Sequence, residues 1–145
     1  MTKAILIRSC LLIAAAALLA VGVVSGTLVR HAVQIIPLLL VAFLSLRKAW
    51  ASGAAAGIFA HWLAIMVMIW LFLLHIANVI TGDYSSTEIA MTIVVGAASA
   101  IGGATGLAAA RSGGILATAA AFAIAFALQF AFLYFSYEGL PAAVH

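Results

Sequence analysis

A chain of 145 residues with 68% hydrophobic and only 6% charged side chains cannot cover a water-facing surface, because soluble domains are usually about 45–50% apolar and about 25% charged. The formal net charge of +3 comes from six Lys and Arg residues against three acids, scattered along the length; this excludes a basic nucleic-acid patch and leaves orientation in a bilayer as their use. The one cysteine, Cys10, excludes an intramolecular disulfide or a thiolate cluster and reads as a buried, inert thiol.

A membrane-spanning helix needs roughly 20 mostly apolar residues. Reading between charges and turn residues gives five segments, about 5–25, 30–46, 53–80, 87–110 and 115–137. The expected fold is an all-α integral membrane protein, a compact up-down bundle of about five transmembrane helices forming a single domain over 1–145. In the first segment Lys3 and Arg8 precede an apolar run from Cys10 to Val24, as in a signal peptide. No good small-x-small cleavage site follows and the uncharged stretch continues to Val29, so a retained helix is expected. Ser25-Gly26-Thr27 closes it and offers caps for the second segment. That second segment ends at Arg47-Lys48 and carries Pro37, which removes the bond to the Val33 carbonyl and kinks the helix. A re-entrant segment is the alternative reading there.

Ser52-Gly53 opens the third segment. Gly82-Asp83-Tyr84-Ser85-Ser86 is a polar turn, and Ser85 with Glu88 has capping-box spacing at the start of the fourth. Arg111 suits a helix C-terminus followed by the turn Ser112-Gly113-Gly114. Gly139 and Pro141 close the fifth segment. With connections this short, any function lies in or at the edge of the membrane.

Basic residues orient the bundle. With the N-terminus cytoplasmic, Lys3, Arg8, Arg47, Lys48 and Arg111 all fall inside and only Arg30 outside, while Asp83, Glu88 and Glu138 fall outside. Cytoplasmic loops retain Lys and Arg, so the expectation is N-in and C-out in an inner (cytoplasmic) membrane.

Helices in lipid pack through close backbone approach. Ala98, Gly102, Gly106 and Ala110 recur every four residues in the fourth segment, with Gly96, Ser99 and Gly103 alongside, and Gly53-x-x-x-Gly57 repeats the spacing in the third. The fifth segment carries an aromatic ridge, Phe122, Phe126, Phe130 and Tyr134, read as lipid-facing or interhelical packing. Trp50, Trp62 and Trp70 are apolar bulk and interface anchors. The expected partners are the lipid bilayer and, through the small-residue stripes, other membrane subunits or a second copy; nucleic acid is not one.

Ionisable groups inside a bilayer are costly, so each is a candidate functional site. His31, His61 and His75 qualify, with Arg30, Gln34, Asn78 and Asp83 nearby in sequence. His61 and His75 point to the same helix face, ~21 Å apart in rise. That spacing resembles the ligand spacing on helices of the cytochrome b family, which implies two haems stacked across the membrane; the arrangement needs a matching pair of histidines on a second helix, and this sequence has none. A single site is expected instead. His31 and His75 lie toward the outer ends of antiparallel segments, where two imidazoles can clamp one haem b. They can also hold copper or zinc with Asp83, Glu88 or His145. Neutral imidazole can equally bond a quinone carbonyl, assisted by Arg30 or Gln34. The ordinary alternatives are a solvated His31, a His75 bonded to carbonyls or a hydroxyl, a His61 hydrogen-bonded within the bundle, and Gln34 and Gln129 as interhelical glue.

The sequence offers no phosphate loop, thiolate pair or carboxylate in the membrane interior. Three functional readings follow. First is a non-enzymatic accessory or assembly subunit held by the small-residue stripes. Second is a haem-, metal- or quinone-binding redox protein using His31 and His75. Third is an oligomeric small-solute transporter or channel.

Overall fold

The computed structural model describes residues 2–44 and 46–138; Gly139, Pro141 and His145 lie outside the described residues. Every described element is a helix: α1 Lys3–Val24, α2 Leu28–Gln34, α3 Ile36–Phe43, α4 Ala49–Leu73, α5 Ser86–Ala110 and α6 Ile115–Glu138. Helices α1, α4, α5 and α6 are long and apolar enough to cross a membrane. The molecule is therefore an all-helical bundle of the multi-pass membrane kind.

The second expected segment is broken into two short helices. Helix α2 ends at Gln34 and α3 begins at Ile36, with Pro37 in the first turn of α3; proline has no N–H to give to Val33. Together Leu28–Phe43 rise only ~24 Å at 1.5 Å per residue, short of a ~30 Å hydrocarbon core. The lower end is finished by α1: Arg8 donates from Nε to the Ala42 carbonyl at 2.9 Å and from Nη2 to that of Leu44 at 3.3 Å. A guanidinium thereby satisfies carbonyls that a helix C-terminus leaves open.

Helix α4 differs from the expected 53–80 at both ends. It begins at Ala49 because the turn before it is closed by Ser52, whose hydroxyl donates to the Leu46 carbonyl at 2.9 Å and whose amide donates to Lys48 at 3.1 Å. Gly53 is a packing residue inside the helix, not its boundary. The helix ends at Leu73 because His75 takes a left-handed conformation, φ 57°. Its amide bonds the Phe72 carbonyl and that of Ile76 bonds Leu71, the paired bonds of a Schellman ending. Helix α5 starts as expected, with the Ser85–Glu88 capping box formed in both directions.

Helix α4 is the centre of the bundle, with α5 and α6 packed on it and α1 on α5. Its two glycines admit α6: a Cβ at Gly53 would meet the Thr118 carbonyl oxygen at 2.8 Å, and one at Gly57 would meet the Phe122 backbone, its carbonyl carbon at 3.0 Å. The α5 stripe admits α4 in turn. Gly102 lies under the Phe59 ring and Gly106 against the Ser52 carbonyl, and Ala98 and Ala110 are buried on the same line. Both small-residue motifs are thus occupied within the chain. Of the aromatic ridge of α6, Phe130 and Tyr134 are 58% and 64% exposed while Phe122 is half-buried, and that helix buries only Ala125, Gln129 and Ser136.

The helices run alternately up and down, so charge segregates by end. Lys3 Nζ lies 3.5 Å from the Ala108 carbonyl, and Gly113 packs on Ala49, which follows Lys48. Lys3, Arg8, Lys48 and Arg111 therefore share one end. Gly22 touches His31, Arg30 stacks on Tyr137 with 4.2 Å to the ring centroid, and Asp83, Glu88 and Glu138 belong to this opposite end.

Candidate functional site: a cavity at the acidic end

Where α1, α2, α4, α5 and α6 converge they enclose a cavity of about 600 Å³, within the ~300–1,000 Å³ range of small-molecule sites. Its floor is apolar: Leu18 from α1, Trp62 and Met66 from α4, Val95 from α5 and Leu133 from α6. Its rim is polar: Thr27, Arg30 and His31 on one side, Asp83, Tyr84 and Glu88 on the other. Trp62 stands eleven positions before Leu73, so the floor reaches ~16 Å below the end of α4.

Local structure fixes each rim group. The His31 ring is tethered through Nδ1, which lies 3.0 Å from the Thr27 hydroxyl and 3.1 Å from the Thr27 carbonyl; the Ser25 and Thr27 hydroxyls pair at 2.6 Å. When Nδ1 donates to that carbonyl, Nε2 carries the lone pair. The ring has room because residue 22 lacks a side chain: a Cβ at Gly22 would stand 2.9 Å from that of His31. Glu88 accepts from the Ser85 amide at 2.8 Å and hydroxyl at 2.6 Å, which holds its carboxylate at the rim. Burial, then Tyr137 and Glu88, push the Tyr84 phenol above its ordinary pKa, so it stays protonated and can donate.

Beside the cavity lies a polar link between α2 and α6. The Gln129 amide donates to the Gln34 carbonyl at 2.9 Å, and the Gln34 amide donates to the Ser136 hydroxyl at 2.8 Å, all three residues being buried. Gln129 thus supplies a donor to backbone at the break between α2 and α3, as membrane helices require where their ladder is interrupted.

The cavity gathers His31, Arg30, Gln34 and Asp83 from the expected site residues, and leaves out His61, His75 and Asn78. His75 and Asn78 are exposed on the segment following α4. The two imidazoles proposed as an axial pair are therefore not brought to one cavity wall, since α4 ends before His75. His61 is 2% exposed and packs edge-to-face on Trp62, Phe126 and Phe130, with ring centroids 5.8, 5.5 and 6.3 Å away. Its Nε2 has no hydrogen-bond partner, so aromatic packing replaces the hydrogen bond expected for it. Among the described residues no group of three His, Cys, Asp or Glu side chains is placed to hold a metal ion.

Trp62, Tyr84, Tyr137 and Gly22 carry no site role in the sequence alone. Trp62 is the most telling: it is 3% exposed, lines the cavity, and its indole N–H has no acceptor. A buried tryptophan usually finds one, but nothing in the sequence separates an unsatisfied indole from ordinary apolar bulk.

Comparison with protein-family models, with curated proteins and with solved structures returned no match. Fold and site define the class: a multi-helix membrane protein with an apolar cavity and a mixed-charge polar rim.

Proposed function

We propose that this chain is a non-enzymatic, ligand-binding inner-membrane protein with five crossings, N-terminus cytoplasmic. The fifth crossing is the broken α2–α3 pair, and the bias of Lys and Arg toward one end, with Arg30 at the other, supports the orientation. The cavity then opens toward the outer compartment. Its ligand is a small amphipathic molecule with an apolar body for the Leu18–Met66–Val95 floor and acceptor oxygens for Trp62. A quinone head group has this chemistry. The observation that carries the reading is an apolar cavity of about 600 Å³ whose lining includes Trp62, a buried residue whose indole N–H has no acceptor: an unmade hydrogen bond in a buried site costs about 1–3 kcal/mol, which an acceptor brought within reach recovers.

The reading is tested by titrating a short-chain ubiquinone into the protein in nanodiscs while following tryptophan fluorescence. Quenching that saturates, and that Trp62→Phe or the cavity-filling Met66→Trp removes, supports it. Quenching that rises without saturation and is the same in Trp62→Phe as in the parent rejects the quinone. Mass spectrometry of a solvent extract of the purified protein tests the wider class, and an extract containing only bulk lipid rejects it.

A further inference from the structure

A second site lies at the other end of the molecule. Helices α5 and α6 both pack on α4 and leave a cleft of about 600 Å³ between them. Gly53 of α4 lies at its base, with Leu107 from α5 and Ala119 and Phe122 from α6 as apolar walls. Thr118 adds a buried hydroxyl without a partner. At the mouth stands Arg111, which is exposed, and Gly113, which packs on the residue following Lys48. Lys3 is one turn of α5 away, on the Ala108 carbonyl. The three acids among the described residues, Asp83, Glu88 and Glu138, all belong to the opposite end.

An apolar slot in the bilayer region that ends in uncompensated positive charge matches one kind of molecule. We infer that this cleft binds an anionic phospholipid of the basic-side leaflet, one acyl chain lying along Leu107, Ala119 and Phe122 and the phosphate at Arg111. Lys48 and Lys3 add attraction at the same level. Each basic residue near an anionic surface is worth about fivefold in binding, so the head group gives selectivity and the slot gives residence. Crossing number and cavity ligand do not enter this inference.

Native mass spectrometry of the full chain tests it, using phosphatidylglycerol and phosphatidylcholine with identical acyl chains at equal concentration. The expected result is one or more retained phosphatidylglycerol molecules at an excess of about fivefold or greater. Arg111→Gln should lower that excess by about fivefold. Ala119→Phe and Leu107→Trp, both at exposed positions, should reduce retention of either lipid; the second variant guards against misfolding of the first. Equal retention of the two lipids by the parent chain overturns the inference. So does retention unaffected by both cleft-filling variants, which would place the lipid on the surface. A lipid-free dimer lost on filling the cleft would assign it to a second copy.

Discussion

Replacing Gly57 by alanine adds one methyl group where α4 and α6 touch backbone to backbone. The new Cβ would lie 3.0 Å from the Phe122 carbonyl carbon and 3.1 Å from its Cα, with the carbonyl oxygen nearer still. Ordinary contact begins near 3.4 Å, and a helix backbone cannot rotate aside as a side chain can. The two helices must separate by ~0.5–1 Å, a gap that forfeits a quarter to a half of each dispersion contact along the crossing. Overpacking of this kind costs about 1–3 kcal/mol, while exchanging Gly for Ala in a helix returns about 0.5–1 kcal/mol. The net expectation is a loss of about 1–2 kcal/mol, read as a lower midpoint for unfolding by sodium dodecyl sulfate in mixed micelles followed by circular dichroism. Gly103 is the internal control: its Cβ would meet only the Phe59 Cβ at 3.4 Å, so Gly103→Ala should leave stability unchanged or raise it by up to about 0.5–1 kcal/mol. Equal midpoints for the two variants would refute the packing argument.

Other consequences use the same assay. Gln129→Leu should destabilise by about 1–2 kcal/mol, and the loss should persist in a Gln34→Leu background, because its bond goes to the Gln34 backbone carbonyl. Gln34→Leu and Ser136→Ala, by contrast, should be non-additive by about 0.5 kcal/mol or more, since their side chains meet directly; strict additivity would contradict the observed pairing. Arg8→Gln should cost about 1.5 kcal/mol by exposing the Ala42 and Leu44 carbonyls, whereas Lys3→Gln, a single 3.5 Å contact at the surface, should cost under about 0.5 kcal/mol. Ser85→Ala should remove about 1 kcal/mol with the α5 cap, and amide hydrogen exchange should quicken in the first turn of α5.

Long features of the sequence carried most of the fold. Helices α1, α5 and α6 lie within a few residues of the apolar runs that define them, and the Ser85–Glu88 box fixed the α5 start because both partners of a cap are visible in one short string. The break at Gln34–Ile35 was legible as Pro37. The two ends of α4 were not. Gly53 reads both as the opening of the segment and as part of a packing motif, and the helix begins four residues before it while its missing side chain serves the contact with Thr118, which is remote in sequence. The stop at Leu73 depends on a left-handed His75 within a continuing apolar run. With α4 ending at Leu73, His75 stands in an exposed turn and not on a helix continued to about residue 80. Gln34 and Gln129 were legible as glue because amides in lipid need partners, but Ser136 as one of those partners was not. The cavity itself is lined by residues of five helices far apart in sequence, a juxtaposition that no single segment encodes.

In the proposed orientation the rim bearing His31 and Asp83 meets the outer compartment and the Arg47 turn meets the cytosol. Labelling with a membrane-impermeant maleimide in right-side-out vesicles, in a Cys10→Ser background, measures this with single cysteines. The prediction is that His31→Cys and Asp83→Cys react at once, and that Arg47→Cys reacts only after the vesicles are opened. Reaction of all three before opening, or of Arg47→Cys alone, would contradict it.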